Sequence, residues 1–237
     1  MLVAAAVCPA PPLLVPEVAA GAAAELDGAR TACSDALAVL AASRPDLLVV
    51  VGAGGPGEAG PYPAGCRGGF HAFGVDAGVR LGEGPDDDAT RTLPPTLVVG
   101  AWLLDHARWG AAPVEGLAVE ESLEAGAALR AGRDLAGRAD RVALLVMGDG
   151  SACRTVKAPG YLDERAEPFD AAAATALGAA DTAALAALDV TLAAELKAAG
   201  RAPWQVLAGA AEGAGLDGRL LYEGAPYGVG YFVAAWS

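Results

Sequence analysis

Three short, uninterrupted apolar runs constrain the fold of this chain most: residues 2–7 (LVAAAV), 46–51 (DLLVVV) and 142–147 (VALLVM). A strand with one wet face alternates apolar and polar residues. A run without a polar break suits a strand buried on both faces, and such strands belong to parallel sheets covered by helices on either side. Residues 16–43, between the first two runs, are alanine-rich with proline at the start and read as a helix. Strand, helix, strand makes a βαβ unit with a right-handed crossover and parallel pairing. The alternation continues with a helix at 95–109, a strand at 114–119, a helix at 122–137 and the 142–147 strand. Leu185, Leu188, Leu192 and Leu196 then form a core-facing helical stripe. A helix at 203–214 and strands at 220–222 and 229–235 follow.

At 237 residues, with no internal repeat and no linker-like break, the chain reads as one domain over 1–237. The expected fold is α/β, with a mostly parallel central sheet and helices on both faces. Two long loops, 52–69 and 148–170, leave strands of this sheet and should meet at one edge. In open α/β sheets ligands bind at the carboxyl ends of strands. A polar, acidic loop covers 84–90.

The net charge of −13 argues against nucleic acid and anionic lipid as partners. No apolar run is long enough to cross a bilayer. The first residues lack a basic region, and Val7 precedes Cys8 where a lipid-attachment segment needs a small residue, so a buried first strand is expected there. Cys8, Cys33, Cys66 and Cys153 show no C-x-x-C pairing and read as reduced thiols, which points to a cytoplasmic protein. Homo-oligomerisation stays open.

Residues suited to catalysis are few. The two histidines, His71 and His106, stand without partners at metal-ligand spacing; His106 reads as a surface or capping residue and His71 as a weak metal candidate. No G-x-S-x-G occurs. The glycines of VVVGAGGPGEAG follow a strand but do not open a helix, so a dinucleotide fingerprint is not expected. Two stretches remain. One is Cys8-Pro9-Ala10-Pro11-Pro12, a rigid turn after the first strand. The other is Gly148-Asp149-Gly150-Ser151-Ala152-Cys153 with the loop through Lys157, Arg165 and Asp170.

Taken with Tyr222–Phe232 near the end, these stretches resemble the class III extradiol ring-cleavage dioxygenase catalytic subunits and the related Memo-like proteins. The strand followed by P-x-P-P resembles the family's opening, and GDGSA resembles its motif after a later strand. The resemblance runs nearly end to end. It implies a non-haem Fe(II) site of two histidines and a glutamate, plus an acid/base histidine. This chain departs at each position. Ala10 stands at the first ligand, Ala53 and Gly54 near the second, and Ala152 at the acid/base residue, while Arg201–Trp204 offers no acid for the third ligand. Alanine and glycine side chains coordinate nothing, so no cofactor is expected.

Three readings follow: a non-catalytic family member that binds a small molecule or partner at the strand-end pocket; an enzyme with rebuilt chemistry drawing on Asp149, Ser151, Cys153, Lys157 and Arg165; and an active aromatic ring-opening dioxygenase with ligands elsewhere. The first is favoured. The pocket is then lined by Cys8, Ala10, Gly54, Asp149, Ser151, Ala152, Cys153, Lys157 and Arg165, with Cys8 and Cys153 close together. Its ligand would be a small anion, held by Lys157 and Arg165, or an aromatic molecule. The plainer expectation is that both bases pair with Asp163, Glu164 or Glu167 of their own loop.

Overall fold

The computed structural model describes residues 1–85 and 91–237. In chain order its elements are β1 (Leu2–Cys8), α1 (Pro16–Ala19), a 3-10 segment (Ala20–Leu26), α2 (Asp27–Ala42), β2 (Leu47–Gly54), β3 (Gly60–Tyr62), β4 (Arg67–Gly69), β5 (Gly78–Arg80), α3 (Pro95–His106), β6 (Val114–Glu120), α4 (Ala125–Ala136), β7 (Val142–Met147), α5 (Ala166–Gly178), α6 (Thr182–Ala186), α7 (Val190–Glu195), α8 (Arg201–Ala210), β8 (Gly218–Gly224) and β9 (Tyr231–Trp236). One sheet has the order β3-β6-β2-β7-β1-β9-β8, and a small ribbon pairs β4 with β5. The four central strands, β6, β2, β7 and β1, are parallel. β9 adds to β1, β8 to β9 and β3 to β6 in antiparallel fashion. The fold is α/β, as the apolar runs require.

Period-two alternation divides the strands between two cores. Ala4, Ala6, Cys8, Leu48, Val50, Ala143, Leu145 and Met147 pack on one face beneath α2 and α3. Val7, Val49, Val51, Val142, Leu144 and Val146 pack on the other beneath α4, α5 and α8. The connections explain this distribution. From β1 to β2 and on to β6 the chain steps in one direction across the sheet; from β6 to β7 it steps back. Crossovers of constant hand place their helices on opposite faces when the direction reverses, which sets α4 against α2 and α3.

Several elements differ from expectation. Residues 16–43 do not form one helix. Ala20 takes a left-handed φ of 49°, and the chain continues as 3-10 turns to Leu26 before α2 begins. The stretch AAGAAAE has no large side chain to anchor a helix, and alanine propensity alone does not hold one without packing. Within 52–69, Gly60–Tyr62 pairs with β6 because that strand otherwise presents a bare edge. The leucine stripe is not one helix: Leu185 lies in α6 and Leu192 in α7, Leu188 falls between them and Leu196 caps α7. Each helix is started by an aspartate side chain, Asp181 or Asp189, that accepts a backbone N–H. Leu185 joins the main core and Leu196 a satellite cluster. Of the acidic loop at 84–90, residues 86–90 lie outside the described residues.

Candidate functional site

β1 and β7 lie side by side, yet the helices that follow them, α2 and α5, cover opposite faces. This is a topological switch point, where departing chains diverge and leave room at the carboxyl ends of the strands. The residues just beyond those ends are Ala10 and Asp149. In Pro9-Ala10-Pro11-Pro12, Ala10 alone carries a backbone N–H. That N–H donates to Asp149 Oδ1 at 2.8 Å, so the carboxylate is fixed across the switch point. Asp149 is half-buried. Burial raises its pKa to about 7, against the opposing effect of the Ala10 N–H.

Tyr231 opens β9, next to β1, and is 3% exposed. Burial raises its pKa, followed by the negative potential of Asp149, Tyr227 and Tyr222. Tyr222 and Tyr227 are half-buried and pack on the same core as Tyr231. The Tyr227 hydroxyl oxygen is buried and, among the described residues, makes no well-formed hydrogen bond. Burial raises its pKa, and so does the Glu25 carboxylate beside it. The switch point thus ties a carboxyl group, through Ala10, to the core on which three tyrosines pack.

The rest of the GDGSA motif stitches loops together. Gly148 packs on Gly200, where an added Cβ would lie 2.4 Å from the Gly200 Cα. Gly150 N–H donates to Gly230 at 2.7 Å and Gly230 N–H to Ser151 at 2.8 Å, which fixes the start of β9. Ser151 is fully buried; its N–H and hydroxyl donate to the two oxygens of Asp170, at 2.7 and 2.8 Å. Arg154 adds an ion pair to Asp170 at 3.2 Å. Burial raises the Asp170 pKa while these three donors oppose it. Ser151 is therefore an anchor of the loop to α5, with its hydroxyl already engaged.

The remaining sequence candidates disperse. Cys8 faces Cys33 under α2; the hydrogen bond between the thiols, then burial, raises its pKa. Cys153 donates to Leu196 O at 3.5 Å and belongs to a separate cluster with Ala166 and Phe169. The two thiols, expected close together, belong to separate clusters, Cys8 to the core beneath α2 and α3 and Cys153 to the satellite. Arg165 is engaged with Asp163 at 2.7 Å and Glu195 at 2.6 Å, so the expected basic rim loses its guanidinium. Lys157 is exposed on the loop, and Ala152 is almost covered, its N–H donating to Leu196 O. Gly54 ends β2 with Glu58 and Ala118 crowding its α-carbon. His71 is exposed beside Asp76, at 3.0 Å, and His106 stacks on Trp102 with ring centroids 5.1 Å apart.

The donor set does not fit iron. The ligand positions of the resembled family carry alanine and glycine, and among the described residues no three His, Cys, Asp or Glu side chains are grouped to hold a metal ion. Open space of about 710 Å³ lies at the other edge of the sheet, where Arg80, Asp105, Arg108 and Trp109 surround the start of β6. Sequence reasoning missed Tyr231, Tyr227 and Asp170 as partners of the motif. One signal was available: three of the chain's five tyrosines fall between 222 and 231.

No family model matches the chain, and no curated protein matches it. Among solved structures, the chain is similar to the crystal structure of the uncharacterized protein JW3007 from Escherichia coli K12, with 15% identity over 99% of both chains and a TM-score of 0.55. At that identity the likeness bears on the fold.

Proposed function

We propose that this chain is a non-catalytic relative of the class III extradiol dioxygenases that holds a small aromatic molecule at the strand ends of its sheet. The observation that carries the reading is the Asp149–Ala10 contact at the switch point, with Tyr231 opening the strand beside β1. It puts a carboxyl group with both donor and acceptor capacity at the place where the resembled family works on its substrate. The chain keeps the loops that shape such a site and lacks the side chains for its metal. The anion preference expected from Lys157 and Arg165 is not retained, since Arg165 is paired twice.

A second reading, an enzyme with rebuilt chemistry, is favoured by the same carboxyl group, because a pKa of about 7 suits general acid–base work. One experiment separates the two. Catechol and tyrosol are titrated into labelled protein by NMR, then incubated with it for hours, with and without added Fe(II) in air. The binding reading expects resonances of Ala10, Gly230 and Tyr231 to shift and both compounds to be recovered unchanged. A ring-opened or otherwise altered product overturns the non-catalytic reading. Absence of any shift, or shifts confined to the Arg80–Trp109 edge, overturns binding at this site.

A further inference from the structure

The open space of about 710 Å³ lies at the amino end of β6, the opposite end of the parallel strands from the switch point. Two chain reversals build it. Gly82, just after β5, has a left-handed φ of 63° and packs on Val114 at the start of β6, where an added Cβ would lie 2.9 Å from the valine Cβ. That close approach sets Arg80 and Glu83 along one side of the space. The end of α3 supplies another side. Arg108 N–H donates to Asp105 O and Trp109 N–H to Leu104 O, both at 2.9 Å, the pattern of a helix closed by a left-handed residue. That residue is Arg108, with φ 52°. The Trp109 indole N–H donates to Ala112 O at 2.9 Å, which fixes the ring as a wall.

The lining has two characters. Ala101, Leu104 and Val114 belong to the core beneath α2 and α3 and give an apolar floor. Arg80, Arg108, Glu83 and Asp105 give two charges of each sign around the same space. None of these four takes part in an ion pair among the described residues, and Arg80 is turned to the Gly84 carbonyl. Two of them stand where the local backbone disfavours them. Glycine is the usual residue at a left-handed helix end. A carboxylate in the last turn of a helix, as at Asp105, meets the negative end of the dipole.

We propose that this space is a second binding site, which takes a zwitterion with an aliphatic side chain: a free apolar α-amino acid. Its carboxylate faces the two guanidiniums, its ammonium faces Glu83 and Asp105, and its side chain lies on the floor. A concave space of several hundred Å³ with an apolar lining and a few convergent polar groups has the form of a small-molecule site. A simple anion would meet two carboxylates there, and a simple cation two guanidiniums. A zwitterion gives each sign its partner through charge-assisted hydrogen bonds. The proposal does not depend on the strand-end reading, and either can fail alone.

Three probes with one aliphatic chain test it by calorimetry at pH 7.5: L-leucine, 3-methylbutylamine, which lacks the carboxylate, and 4-methylpentanoate, which lacks the ammonium. Leucine is expected to bind roughly tenfold or more tighter than either analogue. In NMR spectra it should shift the resonances of Gly82, Arg108 and the Trp109 indole, and leave those of Ala10, Gly230 and Tyr231 in place. Arg108→Gly keeps the left-handed helix end and removes the guanidinium, so the variant is expected to fold. It should lose about tenfold in leucine affinity without weakening 3-methylbutylamine, which has no carboxylate to lose. An analogue that binds as tightly as leucine, or no leucine binding at all, overturns the proposal. So does an Arg108→Gly protein that keeps wild-type affinity for leucine, or one that weakens leucine and the amine equally. Should the variant not fold, the order of the three probes on the wild-type chain decides.

Discussion

Asp149 shows how one residue ties the site to the stability of the chain. An ordinary aspartate titrates near 3.8, whereas Asp149 keeps its proton up to about 7. Between those values the folded chain holds a proton that the unfolded chain has released. Stability from this group is therefore complete below about pH 4 and falls as pH rises, with the loss in place above 7. At about 1.4 kcal/mol per pH unit the full difference is of order 4 kcal/mol. Asp149→Asn keeps an oxygen acceptor for the Ala10 N–H and removes the titration. Urea unfolding of both proteins at pH 5 and pH 8 should show the variant gaining on the wild type by about 2–3 kcal/mol across that interval. Asp163, held down to about 2 by Arg165, titrates outside this window and is common to both proteins. A stability difference that does not change with pH would mean that Asp149 is ionised throughout.

At the level of elements, the contact between α4 and α8 depends on two glycines. A Cβ at Gly132 would lie 2.0 Å from the Val206 carbonyl oxygen, and one at Gly209 would lie 2.1 Å from that of Leu129. Both neighbours are backbone, so the helices must separate to admit a methyl group. Gly209→Ala is expected to lower the unfolding free energy by about 2–4 kcal/mol, although alanine is the better helix former by about 1 kcal/mol. A neutral or stabilising result in chemical denaturation would show that the helices slide freely. Such contacts explain what the sequence could and could not reveal. The strands at residues 2–7, 46–51 and 142–147 were legible because burial on both faces leaves an unbroken apolar run. β3 was not, since Gly-Pro-Tyr becomes a strand only when β6 offers its edge. In the site, Ala10 and Asp149 were legible from local motifs. Tyr231 was not tied to them, because its place is set by bonds between segments about eighty residues apart, Gly150 N–H to Gly230 O and Gly230 N–H to Ser151 O. For Arg165 the local partner Asp163, two residues away, was legible as the plainer expectation, whereas Glu195 comes from α7 and was not.

For the whole molecule, the sheet joins strands from Leu2 to Trp236, and its cores should open together, whereas the loop after β7 has a small core of its own. The four cysteines report on this division. Cys8, Cys33 and Cys66 are fully buried in the core beneath α2 and α3. Cys153 is buried in the satellite cluster with Ala166, Phe169, Ala193, Leu196 and Ala198. Burial raises the pKa of Cys66 and of Cys153, so neither forms the reactive thiolate readily while folded. Labelling then requires an opening, and a satellite of six buried side chains opens locally at lower free energy than the main core. Mass spectrometry of native protein exposed to a thiol reagent at pH 8 should show Cys153 modified first, by roughly a hundredfold or more in rate, with the other three following together at the rate of global unfolding. Equal rates at all four would make the loop part of the main cooperative unit. Modification of Cys8 ahead of Cys153 would mean that the strand end at the switch point opens independently, which would remove the rigid Ala10–Asp149 edge on which the proposed binding reading depends.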